Sequence, residues 1–89
     1  MNDQDPPRIE FPCDYPVKVM GAAADDFEAF VVAVMERHAG PVPAERVSVR
    51  ASGKGNWLSV TVTIVATGEA QLRAIFEELK ASGRVQMVL

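Results

Sequence analysis

A strictly alternating segment, Trp57–Ala66, constrains the fold of this 89-residue chain more than any other feature. Apolar and hydroxyl side chains alternate one by one along it: Leu58, Ser59, Val60, Thr61, Val62, Thr63 and Ile64. Successive side chains of a strand point to opposite faces of its sheet, so the pattern predicts one buried face and one face open to water or a partner. The glycine-rich residues 52–56 before it predict a hairpin turn.

Three shorter segments share this period of two. Residues 15–21 and 46–51 are predicted strands with valines at every second position, namely Val17, Val19, Val47 and Val49. The chain ends in a third alternating segment, in which Val85, Met87 and Leu89 are predicted to face the core.

Two segments show helical spacing of apolar residues. The first helix is predicted to follow Asp25 as its N-cap, with Glu28 completing an arrangement like a capping box, and to end at Gly40 and Pro41. The second is predicted to follow Thr67 as its N-cap and to end at Gly83.

The predicted order of strand, helix, strand, strand, helix, strand is that of a ferredoxin-like α+β fold. Right-handed crossovers place both helices on one face of a four-stranded antiparallel sheet, with residues 15–21 and 57–66 as central strands. We therefore predict one domain over residues 11–89, preceded by a flexible tail of polar and acidic character at residues 1–10.

The face without helices is the predicted interaction surface. Parity assigns to it Lys18, Met20, Ser48, Arg50, Ser59, Thr61, Thr63, Gln86 and Val88, with Trp57 at its edge. The alternative is a solvated face, since antiparallel sheets commonly leave one side wet.

Composition limits the classes of function. The net charge of −3 argues against a general nucleic-acid binder, because phosphate attraction supplies most non-specific affinity. The one cysteine, Cys13, allows no internal disulfide and no cysteine metal cluster, which suits a cytoplasmic location. We expect no signal peptide and no membrane span, because the first residues are acidic and apolar runs are short.

Two motifs have both a chemical and a structural interpretation. Residues 52–56, Ser-Gly-Lys-Gly-Asn, resemble a phosphate loop, but the P-loop spacing is absent and a strand follows, so a hairpin turn is favoured. His38 is the only histidine and lies on an apolar stripe, which favours a structural role over a catalytic base or metal ligand. No pattern predicts a catalytic residue, a metal site or a cofactor.

Four segments together resemble the YbeD-like family of small bacterial proteins. They are residues 11–21, which include Lys-Val-Met-Gly, residues 37–39, residues 52–62 with Lys-Gly-Asn-Trp-Leu-Ser-Val, and residues 85–89. The resemblance implies a ferredoxin-like fold similar to ACT-type regulatory domains. It implies no established activity, and the genomic neighbourhood typical of the family suggests a link to lipoate metabolism.

The favoured hypothesis is a non-enzymatic binding or regulatory module that acts through its uncovered sheet face or a strand edge. Its predicted partner is another protein or a second copy in a homodimer, and a small-molecule ligand is the further option. The predicted binding residues cluster on or beside the uncovered face: Lys18, Arg50, Lys54, Gly55, Asn56 and Trp57.

Two other classes share the topology. An RNA-binding module of the RRM type needs exposed aromatics on its central strands, where this chain has Ser59, Thr61 and Thr63. An acylphosphatase-like hydrolase needs an arginine in the loop after the first strand, where this chain has Ala22, Ala23 and Ala24. Neither alternative is favoured.

Overall fold

The computed structural model describes residues 10–89, so the predicted tail at residues 1–10 lies almost wholly outside the described part. Its elements are the strands β1 (Cys13–Ala22), β2 (Val47–Ser52), β3 (Trp57–Ala66) and β4 (Val85–Val88), and the helices α1 (Phe27–Ala39) and α2 (Glu69–Ala81). A single 3-10 turn, Ala44–Arg46, precedes β2. The element order is the one that the alternating and helical patterns predict.

The four strands form one antiparallel sheet in the order β2-β3-β1-β4, which confirms the ferredoxin-like α+β fold. The long strands β1 and β3 are central and pair over their full lengths, from Cys13 opposite Ala66 to Ala22 opposite Trp57. Because this register aligns Val17 with Val62 and Val19 with Val60, the apolar residues of both central strands share one face.

The core lies between that face and the two helices. Fully buried side chains from α1, α2 and the central strands form it: Val17, Val19, Phe27, Val31, Val34, Met35, Val60, Val62, Ile75 and Leu79. Gly21 packs tightly against this core: an added Cβ would lie 2.4 Å from the Arg84 carbonyl oxygen and 2.6 Å from the Phe27 ring. The glycine of the Lys-Val-Met-Gly segment is therefore needed for close approach.

The last strand differs from its predicted pattern. Val88 pairs with Val19 and Met87 with Met20, whereas Val85 pairs with Gly21, so β4 has one extra residue at this point. Such a bulge reverses the alternation of side chains along the strand. Val85 and Val88 consequently pack against the core, and the predictions that Met87 faces the core and Val88 faces outward are wrong.

Leu89 was also predicted to face the core, and the structure places it on the outer side. Its backbone exchanges two hydrogen bonds with that of Lys18, at 3.0 and 2.8 Å, which sets Leu89 beside an outward-facing residue. Its side chain is accordingly exposed.

The predicted N-caps are wrong in detail. Asp26, not Asp25, precedes α1, and Gly68, not Thr67, precedes α2; neither helix has a side-chain cap. The Asp26 carboxylate instead pairs with Arg84, at 2.6 Å, and the Thr67 N–H donates to Gln71 Oε1 at 2.8 Å. At the other end, α1 stops at Gly40 as predicted; this glycine has a φ of +80°, and its N–H donates to the Glu36 carbonyl.

Neither of the two described helices is long and apolar enough to cross a membrane.

Candidate functional site

The sheet face opposite the helices, here called the open face, is an array of rows set by strand register. One row places Ser48 of β2 beside Thr61 of β3, Lys18 of β1 and Leu89. The next row places Arg50 beside Ser59, Met20 and Met87 in the same order across the sheet. The two rows bring small hydroxyls together between a lysine and an arginine.

A shallow cleft of about 380 Å³ lies over these rows toward β2. We call it the hydroxyl cleft, and its lining residues are Lys18, Ser48, Val49, Arg50, Ser59 and Thr61. Three of the six residues have hydroxyl side chains and two have cationic ones, whereas the side chain of Val49 lies on the helix side of the sheet. None of the six is a carboxylate. The cleft therefore offers hydrogen-bond donors and positive charge to whatever lies in it.

Ser59 is the unusual member of this set. It is only 6% exposed, although the residue lies on the open face, and its Oγ has no hydrogen-bond partner among the described residues. A buried polar group without a partner costs about 1–3 kcal/mol. The sequence gives Ser59 no distinction from Thr61 and Thr63, and only the packing around it reveals the difference.

The charges of the open face are unequal. Neither Lys18 nor Arg50 forms an ion pair with any residue in the described range 10–89. Toward the other end of β1, Asp14 pairs with Arg46, at 3.1 Å. Within residues 10–89, the cleft thus keeps two positive charges that no carboxylate pairs with, in a protein of net charge −3.

The structure separates the six predicted binding residues into two groups. Lys18 and Arg50 line the hydroxyl cleft. Lys54, Gly55 and Asn56 lie in the turn between β2 and β3, and Trp57 begins β3 opposite Ser52. Ser48, Ser59 and Thr61 line the cleft as well; parity predicts them on the open face, but they are not among the six predicted binding residues.

The turn between β2 and β3 is held by its own backbone. The Gly55 N–H donates to the Ser52 carbonyl and the Asn56 N–H to the Gly53 carbonyl, both at 3.1 Å. Gly53, Lys54 and Gly55 all have positive φ, of 59°, 59° and 85°. Since two of its N–H groups are used internally, the turn has the conformation of a hairpin connection more than that of an anion cradle.

Trp57 packs beside this turn at the end of the sheet. An added Cβ at Gly53 would lie 2.7 Å from Cδ1 of the indole, so glycine allows the ring to cover the turn. Trp57 also borders a second cleft, of about 370 Å³, with Ala22–Ala24 and Gly83–Gln86 on its other sides. The Arg84 guanidinium of this cleft already has partners, because it pairs with Asp26 and lies over the Phe27 and Phe30 rings.

The remaining charged cluster joins the two helices. Arg37 donates to one Glu78 oxygen, and His38 Nε2 lies 2.8 Å from the other. The hydrogen bond from Arg37 is the main cause that holds the pKa of Glu78 below its usual value, and the one with His38 is the next largest. The geometry fits the structural role predicted for His38.

In the described part of the chain, no three or more histidine, cysteine, aspartate or glutamate side chains come together in a metal-binding arrangement.

The sequence matches a family model described as "Protein of unknown function (DUF493)" over residues 6–89. A UPF0250 protein of Pseudomonas paraeruginosa is 52% identical over 88 residues, which cover 98% of this chain and 95% of that protein. A UPF0250 protein of Hahella chejuensis is 41% identical over 88 residues, covering 99% and 97%. These similarities confirm the resemblance to YbeD-like proteins, and none of the names states an activity.

Two solved structures are similar in fold. The solution structure of protein HP0495 from H. pylori superposes with a TM-score of 0.75 at 19% identity, covering 98% of this chain and 91% of that one. The C-terminal domain of the MgtC protein from Mycobacterium tuberculosis gives a TM-score of 0.54 at 19% identity, covering 92% and 89%. At such identities the likeness shows the fold alone.

Proposed function

We propose that this chain, which belongs to the DUF493 family of proteins, is a non-enzymatic binding module that holds an anionic group in the hydroxyl cleft of its open sheet face. The anion would be a carboxylate or phosphate of a small molecule. Lys18 and Arg50 would supply charge, and Ser48, Ser59 and Thr61 would supply hydroxyl donors.

The observation that carries the proposal is the Ser59 hydroxyl. The hydroxyl is buried and has no partner among residues 10–89. It lies on β3, between Lys18 of β1 and Arg50 of β2, and neither cation forms an ion pair within that range. Once the neighbouring Arg50 and Met20 side chains move aside and expose the hydroxyl, a ligand oxygen at this point would satisfy the donor and neutralise charge. A purely structural core does not need a buried hydroxyl between two cations, and on a merely solvated face the hydroxyl would be open to water.

The observations favour neither alternative class. Of the open-face positions on the central strands, only Trp57 is aromatic, and it packs over the turn, so a stack of bases has no platform there. The loop after β1, residues 23–26, consists of two alanines and two aspartates, which leaves a hydrolase without a phosphate-binding arginine at that position. A regulatory role and a link to lipoate metabolism stay predictions.

Calorimetric titration tests the proposal with two probes, succinate and inorganic phosphate. We expect the wild-type protein to bind at least one of them, and Lys18→Gln or Arg50→Gln to bind it about tenfold more weakly, because each variant loses a charge-assisted hydrogen bond. Which probe binds tells a carboxylate site from a phosphate site.

Lys80→Gln is the matched control. Lys80 is an exposed cation on α2, outside the cleft, so this variant has the same net charge as Lys18→Gln and should bind like the wild type. The proposal is wrong if the wild type binds neither probe, or if Lys80→Gln weakens binding as much as Lys18→Gln does.

A further inference from the structure

The sheet ends in two edge strands, and they differ in how well they are protected. In the strand order β2-β3-β1-β4, the outer sides of β2 and β4 have no neighbouring strand among residues 10–89. An edge strand presents unpaired N–H and C=O groups that can hydrogen-bond to another chain. Proteins block such edges with short strands, bulges, prolines or inward-pointing charges.

β4 is protected in this sense, whereas β2 has only the charge of Arg50, which lies on the open face. β4 has four residues and contains the bulge opposite Met20 and Gly21. β2 has six residues, pairs with β3 without any shift of register, and contains no proline. Its sequence, Val-Ser-Val-Arg-Ala-Ser, places only valine and alanine on the helix side of the sheet.

Val49 adds an exposed apolar side chain to the unpaired outer edge of β2. It lies opposite the fully buried Val60, on the side of the sheet that the helices cover, and yet it is 42% exposed. The reason is that α1 and α2 pack over β1, β3 and β4. A strand added beside β2 would cover Val49 and satisfy the free backbone groups together.

We infer that two copies of this chain pair through antiparallel β2 strands, with the Val49 residues of the two copies opposite each other, to form a continuous eight-stranded sheet. A two-fold axis perpendicular to the sheet keeps both helix layers on the same side, so residues that face each other must have the same parity. Three central registers satisfy this condition, centred on Ser48, Val49 or Arg50.

Charge selects among the three registers. Centring on Ser48 places Arg50 opposite Arg46 of the partner subunit, and centring on Arg50 places the two Arg50 side chains opposite each other. Like charges directly opposite are destabilising. Centring on Val49 instead places Arg50 opposite Ser48 of the partner subunit, and Val47 opposite Ala51 of the partner subunit, so both faces are compatible.

This register has a consequence for the hydroxyl cleft. Ser48 and Arg50 are its outermost lining residues, on β2 itself. In the pair, Ser48 of the partner subunit stands beside Arg50, so the two clefts meet across the axis and each gains a hydroxyl from the other copy. The pairing needs only the exposed edge of β2 and no ligand.

Sedimentation equilibrium over a range of protein concentrations tests the pairing. We expect the wild type to form a dimer and Val49→Lys to stay monomeric, because two lysines would face each other at the axis. Val65→Lys is the matched control: Val65 is 49% exposed, but it lies on the central strand β3. Circular dichroism establishes that both variants are folded.

Disulfide cross-linking tests the register, in a Cys13→Ala background. Directly opposite residues of an antiparallel pair have Cα atoms about 4.5–5.5 Å apart, within the range of a disulfide, so Val49→Cys should cross-link readily. Ala51→Cys should not, because two copies of residue 51 would be about 13 Å apart along the strands.

Several results would overturn the inference. They are a wild-type protein that is monomeric at all concentrations, a dimer that Val49→Lys leaves intact, a dimer that Val65→Lys disrupts equally, and equal cross-linking at positions 49 and 51. The first two results would leave the proposed anion binding by Lys18 and Arg50 possible, because a monomer can also contain the cleft. The dimer proposal and the proposed function can therefore fail separately.

Discussion

At the scale of single residues, Ser59 is where stability and binding oppose each other. Its Oγ is buried and unpartnered in the described chain, so Ser59→Ala removes an unsatisfied hydroxyl and leaves only the Cβ methyl. We expect the free energy of unfolding of the ligand-free protein to rise by about 1 kcal/mol. Urea denaturation of the two proteins measures this change.

The same variant should bind the anionic probe more weakly than the wild type, by about fivefold for one lost hydrogen bond. Thr63→Val is a suitable control, because Thr63 lies on the same strand and face but outside the cleft. A Ser59→Ala protein that is less stable than the wild type would mean that the hydroxyl is satisfied in solution.

Glu78 is the second residue with a distinctive environment. Its lowered pKa means that the folded protein releases this proton at lower pH than the unfolded chain does. The contribution of Glu78 to stability therefore rises with pH between its folded-state and unfolded-state pKa. It is fully present above the unfolded-state pKa and is lost as the pH falls through the folded-state pKa.

Glu78→Gln should reduce the free energy of unfolding at neutral pH by less than about 1 kcal/mol, since the pairs are partly exposed. In strong acid, below the folded pKa, the variant and the wild type should be equally stable. Denaturation at the two pH values checks this, with the neighbouring Glu77→Gln as control. A loss that is equal at both would point to packing and not to charge.

At the scale of elements, β4 separates what alternation predicts from what it misses. The period of two predicted β1, β2 and β3 and their buried faces, because a regular strand keeps its parity along its length. β4 contains a bulge, which no side-chain pattern in five residues reveals. The side-chain cap predicted for α1 is absent for a related reason, since the Asp26 carboxylate binds Arg84, a partner 58 residues away.

A pair of lysine substitutions tests the bulge. Val88→Lys should destabilise the protein by about 2 kcal/mol or more, because it brings a charge toward the core, whereas Met87→Lys should change stability by less than about 0.5 kcal/mol. Thermal unfolding compares the two. If Met87→Lys proved the more damaging, β4 would have the regular alternation first predicted.

At the scale of the whole molecule, charge is distributed unevenly between the two sides. The protein has a net charge of −3, while the hydroxyl cleft contains two cations and no carboxylate. The sequence predicted Lys18 and Arg50 as part of the site because parity places them on the open face. It could not separate them from Lys54 and Trp57, since the distance between the cleft and the turn depends on strand register.

The measurement that tests the central claim most directly is amide chemical-shift mapping by NMR during titration with succinate or inorganic phosphate. We expect the largest shifts in the two rows of the hydroxyl cleft, at Lys18, Ser48, Arg50, Ser59 and Thr61, and small ones elsewhere. The absence of shifts, or shifts confined to residues 53–57 or to the helices, would contradict an anion site on the open face.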